Sequence, residues 1–189
     1  LSLGLVGAEM CIRDSISSVI VSGTASLIIT TRLVRNRLTG FPHQRAAYSM
    51  PRIMTETIEL QRIEITGTSD GPHLLLTGGV HGAEFESMTS IRRLAGAVNA
   101  EDLSGTLTLV PVVNEAAFLN GNRTAEDGLD LARVCPGDPE GSVTLRTAVS
   151  LSALIASADY YIDLHSGGIV MDVWPLSGYG LSDDPDRLD

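Results

Sequence analysis

The sequence predicts an α/β domain built on a mainly parallel or mixed sheet flanked by helices. Three observations predict it. Between Thr57 and Leu164, strand-length runs alternate with two longer segments whose apolar residues recur at helical spacing. The run His73–Val80 is almost continuously apolar, as a strand covered on both faces should be. Polar residues gather just after the strands, where open α/β sheets bind their ligands.

Taken in order, TIELQRIEI (Thr57–Ile65) alternates apolar and polar and predicts a half-buried strand. TGTSDGP (Thr66–Pro72) has turn composition, and His73–Val80 predicts the next strand. In Glu84–Val98, Met88, Ile91, Leu94, Ala95 and Val98 fall on one helical stripe. Leu103–Val113 predicts a third strand, with Pro111 near its end. Asn114–Ser142 is a 29-residue stretch rich in Gly, Asn, Asp and Pro. A structureless loop of that length is usually functional. Thr144–Ser157 then predicts a helix and Asp159–Leu164 a strand.

Composition narrows the function. With 189 residues, 43% hydrophobic and 19% charged, the chain has the material for one globular domain. A net charge of −10 excludes nucleic acid as the expected partner, because phosphate binding needs a basic surface. All 13 basic residues are arginine, which we attribute to coding bias. The two cysteines, Cys11 and Cys135, form neither a disulfide framework nor a CxxC pair, so a reducing cytoplasm is expected.

Residues 1–49 differ in charge from the rest. They carry five arginines against Glu9 and Asp14, whereas residues 50–189 carry eight arginines against 21 acids. Leu1–Ser15 resembles a translated sequencing adapter. The apolar run near Ser18–Ile29 is broken by Ser, Gly and Thr, and its basic residues follow it. That order is wrong for a secretory signal, and the run is short for a membrane span. Residues 1–49 are therefore expected to be an artefact or untranslated upstream segment, disordered or poorly packed, with an appended strand or helix as the alternative. No membrane partner is expected.

The chemistry concentrates in GGVHGAEFES (Gly78–Ser87), at a strand-to-helix junction. His81 can project from the strand end while Glu84 reaches back from the first helical turn. Gly82 lets the backbone make the junction without a side-chain clash. Histidine nitrogen and carboxylate oxygen suit zinc, and two histidines with one glutamate form one of its standard catalytic sets. His165 in DLHSGG, again at a strand end, supplies the third ligand. Asp163 could orient a histidine from behind, or be paired elsewhere. The bland alternative is an ordinary turn carrying a histidine, because HxxE alone is a weak motif. His73, opening a strand, is expected to be structural.

GGVHGAE, VNEAAF, NRTAEDGLDLARVCPG and DLHSGG, in that order over about residues 58–175, resemble the succinylglutamate desuccinylase/aspartoacylase family. The resemblance implies a zinc-carboxypeptidase-like fold and a hydrolase that removes an acyl group from an amide. It makes His81, Glu84 and His165 the ligands of one zinc ion per chain. Arg123 matches the arginine that polarises the scissile carbonyl, and Arg133 the one that holds a substrate carboxylate. Asn114 is expected to bind substrate beside Arg133. The implied partner is a small acylated molecule bearing a carboxylate. For each arginine the alternative is a loop-pinning pair with Asp127, Asp130 or Asp138.

Two departures follow. Many family members carry Asn where this chain has Ala132, which leaves a broader acyl amide or ester possible. The reaction also needs a carboxylate base, and no glutamate follows His165. Residues 50–189 are therefore expected to be the N-terminal part of a catalytic domain, with its base outside the chain and the fragment inactive. The rivals are a zinc carboxypeptidase acting on peptides and a non-catalytic zinc-binding domain. A serine hydrolase is disfavoured because Ser166 sits in no nucleophile elbow.

Overall fold

The computed structural model describes residues 28–33 and 58–178, with side chains described for the second range. Within them the chain forms β1 (Ile28–Leu33), β2 (Ile63–Thr66), β3 (Ser69–Gly78), α1 (Phe85–Ala97), β4 (Ser104–Val110), α2 (Glu115–Leu119), α3 (Val143–Ser157), β5 (Tyr160–His165) and β6 (Leu176–Gly178). Single 3-10 turns lie at Ala100–Asp102 and Leu131–Arg133.

These strands make one mixed sheet in the order β2-β4-β3-β5-β1-β6. The central trio β4-β3-β5 is parallel, as the βαβ alternation predicted. β2 joins β4 antiparallel, β1 joins β5 antiparallel, and β6 joins β1 in parallel. β1 falls within the first 49 residues. The rest of that segment lies outside the described residues.

The core has two parts. Leu75, Val80, Val110, Val113, Leu131, Leu151, Ile155 and Tyr161 form one cluster, and Leu76, Ile91, Leu107, Leu109 and Leu164 the other. Leu75 and Leu76 are neighbours on β3 yet point to opposite clusters, so this strand is covered on both faces.

Several boundaries differ from expectation, each for a local reason. The first predicted strand shortens to β2. Ile58 and Leu60 instead pack into the first cluster, where the Ile58 carbonyl accepts a 2.5 Å hydrogen bond from Ser150 Oγ of α3. Alternation is the same whether a segment joins a sheet or lies along a helix. β3 begins four residues early, inside the expected turn, because a register shift between Ser69 and His73 absorbs Gly71 and Pro72. β4 ends at Val110 because Pro111 has no N–H to continue the ladder. On α1, Met88 and Ile91 are buried, whereas Leu94 is 37% exposed. The long loop contains α2, capped by Asn114 Oδ1 accepting from Ala117 N at 3.1 Å. His73 is structural, with Nε2 lying 2.8 Å from Thr108 Oγ1 and Nδ1 3.1 Å from the Ser157 carbonyl.

Candidate metal centre

The site begins where β3 stops. Gly79 adopts φ +64°, a conformation glycine enters without strain, and a Cβ there would meet the Met88 side chain. The chain then turns through His81 into α1, and the Glu84 N–H donates to the His81 carbonyl at 3.2 Å. Ser87 fastens this start: its hydroxyl donates to the Glu84 carbonyl at 2.7 Å and accepts from Gly79 N at 3.3 Å. Gly82 is required by contact, because a Cβ would run into the α2 backbone at Ala117 and Phe118.

β5 runs parallel to β3 with Gly78 opposite Leu164, so the residues after both strands emerge at the same sheet edge. There the expected ligands meet. His81 Nδ1 lies 2.7 Å from Glu84 Oε1, and His165 Nδ1 lies 3.0 Å from Glu84 Oε2. The two imidazole centroids are 5.0 Å apart. One donor atom from each of His81, Glu84 and His165 falls within 4.8 Å of the others, so the cluster could hold a metal ion. Tetrahedral ligands at about 2.0–2.1 Å from zinc stand about 3.3 Å from one another. The donor set therefore fits such an ion with small side-chain adjustments.

The far nitrogen of each histidine meets a carboxylate. His81 Nε2 lies 3.0 Å from Asp130 Oδ1, and His165 Nε2 lies 2.6 Å from Asp163 Oδ2. Metal-ligating histidines are typically held this way, which fixes the ring and aims the other nitrogen at the cation. Asp163 thus takes the orienting role that its sequence position allowed. Asp130 was foreseen only as an arginine's partner. The other signal for it was its place in the long loop, and the 49-residue separation from His81 hid the contact. Ser166 adds a brace, with its N–H donating to Glu84 Oε2 at 3.1 Å and its hydroxyl to Glu86 Oε2 at 2.6 Å.

The electrostatics follow from this packing. Burial alone would push Glu84 up, but hydrogen bonds from His165 and His81 outweigh it and lower its pKa to about 2. Burial would push His165 down, but the Asp163 charge and hydrogen bond, with Glu84, raise it to about 10. His81 is raised as well, its burial outweighed by Asp130 and Glu84. Asp130 is held far below the usual carboxylate range, first by His81 and then by Arg123, against its own burial.

The remaining expected residues are placed as follows. Arg123 reaches the site: Nη2 donates to Asp130 Oδ2 at 2.9 Å, and Nη1 lies 3.8 Å from Glu84 Oε1. The weighed pairing with Asp130 is thus present and stands at the triad itself. Arg133 is exposed, makes no ion pair among the described residues, and touches the Ala132 carbonyl at 3.5 Å. Ala132 is buried, and its N–H donates to Asp130 Oδ1 at 3.0 Å. Asn114 is 1% exposed; its oxygen caps α2, while Nδ2 has no partner among the described residues.

A family model described as the succinylglutamate desuccinylase/aspartoacylase catalytic domain matches residues 70–188. The chain belongs to this family. An N-alpha-acetyl-L-2,4-diaminobutyric acid deacetylase from Halomonas elongata is 39% identical over 127 residues, covering 66% of this chain and 37% of that protein. A succinylglutamate desuccinylase/aspartoacylase structure from Rhodobacter sphaeroides has TM-score 0.55 at 35% identity, covering 59% of this chain and 34% of the other. A product-bound structure of the ectoine utilization protein EutE (DoeB) from Ruegeria pomeroyi has TM-score 0.50 at 30% identity, over 79% and 43% of the two chains. The chain thus spans about a third of the length of the Halomonas relative (37%). These likenesses bear out the expected family and fold, and they make the protein a relative of deacylases. Among the described residues no helix is long and apolar enough to cross a membrane.

Proposed function

We propose that the protein is a zinc-dependent deacylase that hydrolyses the amide of a small N-acyl amino acid. The observation that carries this is the convergence of His81, Glu84 and His165 within 4.8 Å, with both imidazoles backed by carboxylates. Zinc bound there would act as a Lewis acid and lower the pKa of water.

The chain's own residues do the rest. Asp130 and Asp163 hold the imidazoles with Nδ1 toward the centre. Arg123, 54% exposed and already beside Glu84, is free to swing toward a substrate carbonyl and stabilise the charge that grows on its oxygen. Arg133 closes the 3-10 turn that follows Asp130. Its exposed guanidinium makes no ion pair among the described residues, and its planar fork suits a carboxylate. Asn114 shapes the floor through α2. The proton-accepting base is none of Glu84, Asp130 or Asp163, since each is committed to a histidine.

Because the base is expected outside residues 50–189, the test is hydrolysis by the full-length, zinc-loaded protein of N-acetyl-2,4-diaminobutyrate, N-succinylglutamate and a peptide with a free C-terminus. Release of the amine from an N-acyl amino acid, weakened chiefly in KM by Arg133→Ala, is expected. Cleavage of the peptide alone would make the protein a carboxypeptidase instead.

A further inference from the structure

Behind His165 lies a buried polar group that metal ligation does not by itself explain. Thr77 on β3 is fully buried at 0% exposure and faces Asp163, its register partner on β5. Thr77 Oγ1 donates to Asp163 Oδ1 at 2.6 Å, and the Tyr161 hydroxyl lies 3.1 Å from the same Thr77 oxygen. A threonine has one hydroxyl proton, and an ionised carboxylate only accepts. The proton therefore belongs to the short bond with Asp163, which leaves the Thr77 lone pairs facing Tyr161.

We propose that Thr77 is a positioning residue: it locks the Asp163 carboxylate so that Oδ2 meets His165 Nε2–H and Nδ1 faces the metal. This rests on the zinc reading above and extends it one shell outward, into the middle of the sheet. Asp163 is 6% exposed, so each of its oxygens needs a donor. His165 supplies one through the 2.6 Å contact and Thr77 supplies the other. Were Oδ1 left without a donor, the carboxylate would turn or take up a proton. In either case His165 would lose the acceptor that sets its tautomer. Thr77 also lies one residue before the strand's end, so its backbone is fixed by ladders on both sides, to β4 and β5. The hydroxyl is therefore delivered by a strand paired on both sides.

The experiment compares the purified protein with Thr77→Val, Thr77→Ser and Asp163→Asn. Zinc affinity is measured by chelator competition, and the His165 Nε2–H proton signal is followed in the zinc-loaded protein. Thr77→Val should weaken zinc by about tenfold or more, the range of outer-shell losses at metal sites. It should also move the Nε2–H signal upfield and speed its exchange, whereas Thr77→Ser keeps both properties. If Thr77→Val matches the parent in both while Asp163→Asn weakens zinc, the role of Thr77 is overturned and the zinc reading stands. If neither Asp163→Asn nor His165→Ala changes zinc binding, the zinc reading falls and takes this one with it. Should Thr77→Val not fold, the parent decides: a His165 Nε2–H exchanging as fast as a surface imidazole overturns the proposal.

Discussion

Replacing Gly82 by alanine adds one methyl group at the turn between His81 and Glu84. That methyl falls against the carbonyl carbon and oxygen of Ala117 and the nitrogen of Phe118, all backbone atoms of α2. Ordinary carbon contacts lie at about 3.5–4.0 Å, so α2 and the turn must part by roughly 1 Å or more. They cannot part freely. Val113 N donates to the Gly78 carbonyl at 3.0 Å and Asn114 N to the Gly79 carbonyl at 2.9 Å, tying the start of α2 to the end of β3. Overpacking costs about 1–3 kcal/mol, and stretching two such bonds adds about 1 kcal/mol, for a loss of about 2–4 kcal/mol. In a chain of this size that lowers Tm by roughly 4–16 °C. The same displacement separates the metal donors, so zinc affinity should fall with it. Gly96, also mutated to alanine, is the control: nothing lies within 4 Å of its added Cβ on α1. Alanine there should raise stability by up to about 1 kcal/mol through helix propensity. Opposite signs for one chemical change, read by thermal unfolding, are the expected result. A Gly82→Ala protein melting within about 2 °C of the parent, with its zinc affinity intact, would refute the packing of α2 on the turn.

Asp130→Asn should weaken zinc about 10–100-fold, as loss of an orienting carboxylate does, and chelator competition reads it. Asp127 holds the start of α3, accepting from Thr144 N at 3.0 Å and Thr144 Oγ1 at 2.8 Å. Asp127→Ala should therefore cost about 1 kcal/mol in denaturant unfolding, as lost helix caps do. Burial raises the Asp127 pKa, but the hydrogen bonds it accepts from Thr144 and Leu129 outweigh this and leave it below 3.8. The stability it adds is thus present above pH 3.8 and lost as pH falls through the depressed value. His165 has the opposite sign. Its folded pKa is raised from 6.5 to about 10, so metal-free stability from this group is full below pH 6.5 and lost as pH rises through about 10. Zinc bound at His165 would displace that proton, so its affinity should climb with pH up to about 10 and level off above it, and calorimetry should register proton release.

How far the site was legible follows from distance along the chain. His81 and Glu84 are three residues apart at one junction, so a local pattern sufficed. His165 needed only the rule that α/β strands present ligands at their carboxyl ends. That β3 and β5 are direct neighbours, which brings the two histidines together, is a pairing that periodicity does not encode. Asp130 was read as an arginine's partner because its loop has no periodicity to aim it at His81. Leu94 lay on the predicted apolar stripe, yet it is 37% exposed, while Ala95 and Val98 beyond it pack against the second cluster. Ile58 and Leu60 show the converse limit, since an alternating run serves a helix surface as well as a sheet.

The central claim is that His81, Glu84 and His165 share one zinc ion. Metal analysis of the purified protein beside His81→Ala and His165→Ala tests it most directly. About one zinc per chain in the parent, and its loss from both variants, is expected for a site of three protein ligands. Zinc retained at full stoichiometry by His81→Ala, in a protein that still folds, would contradict it.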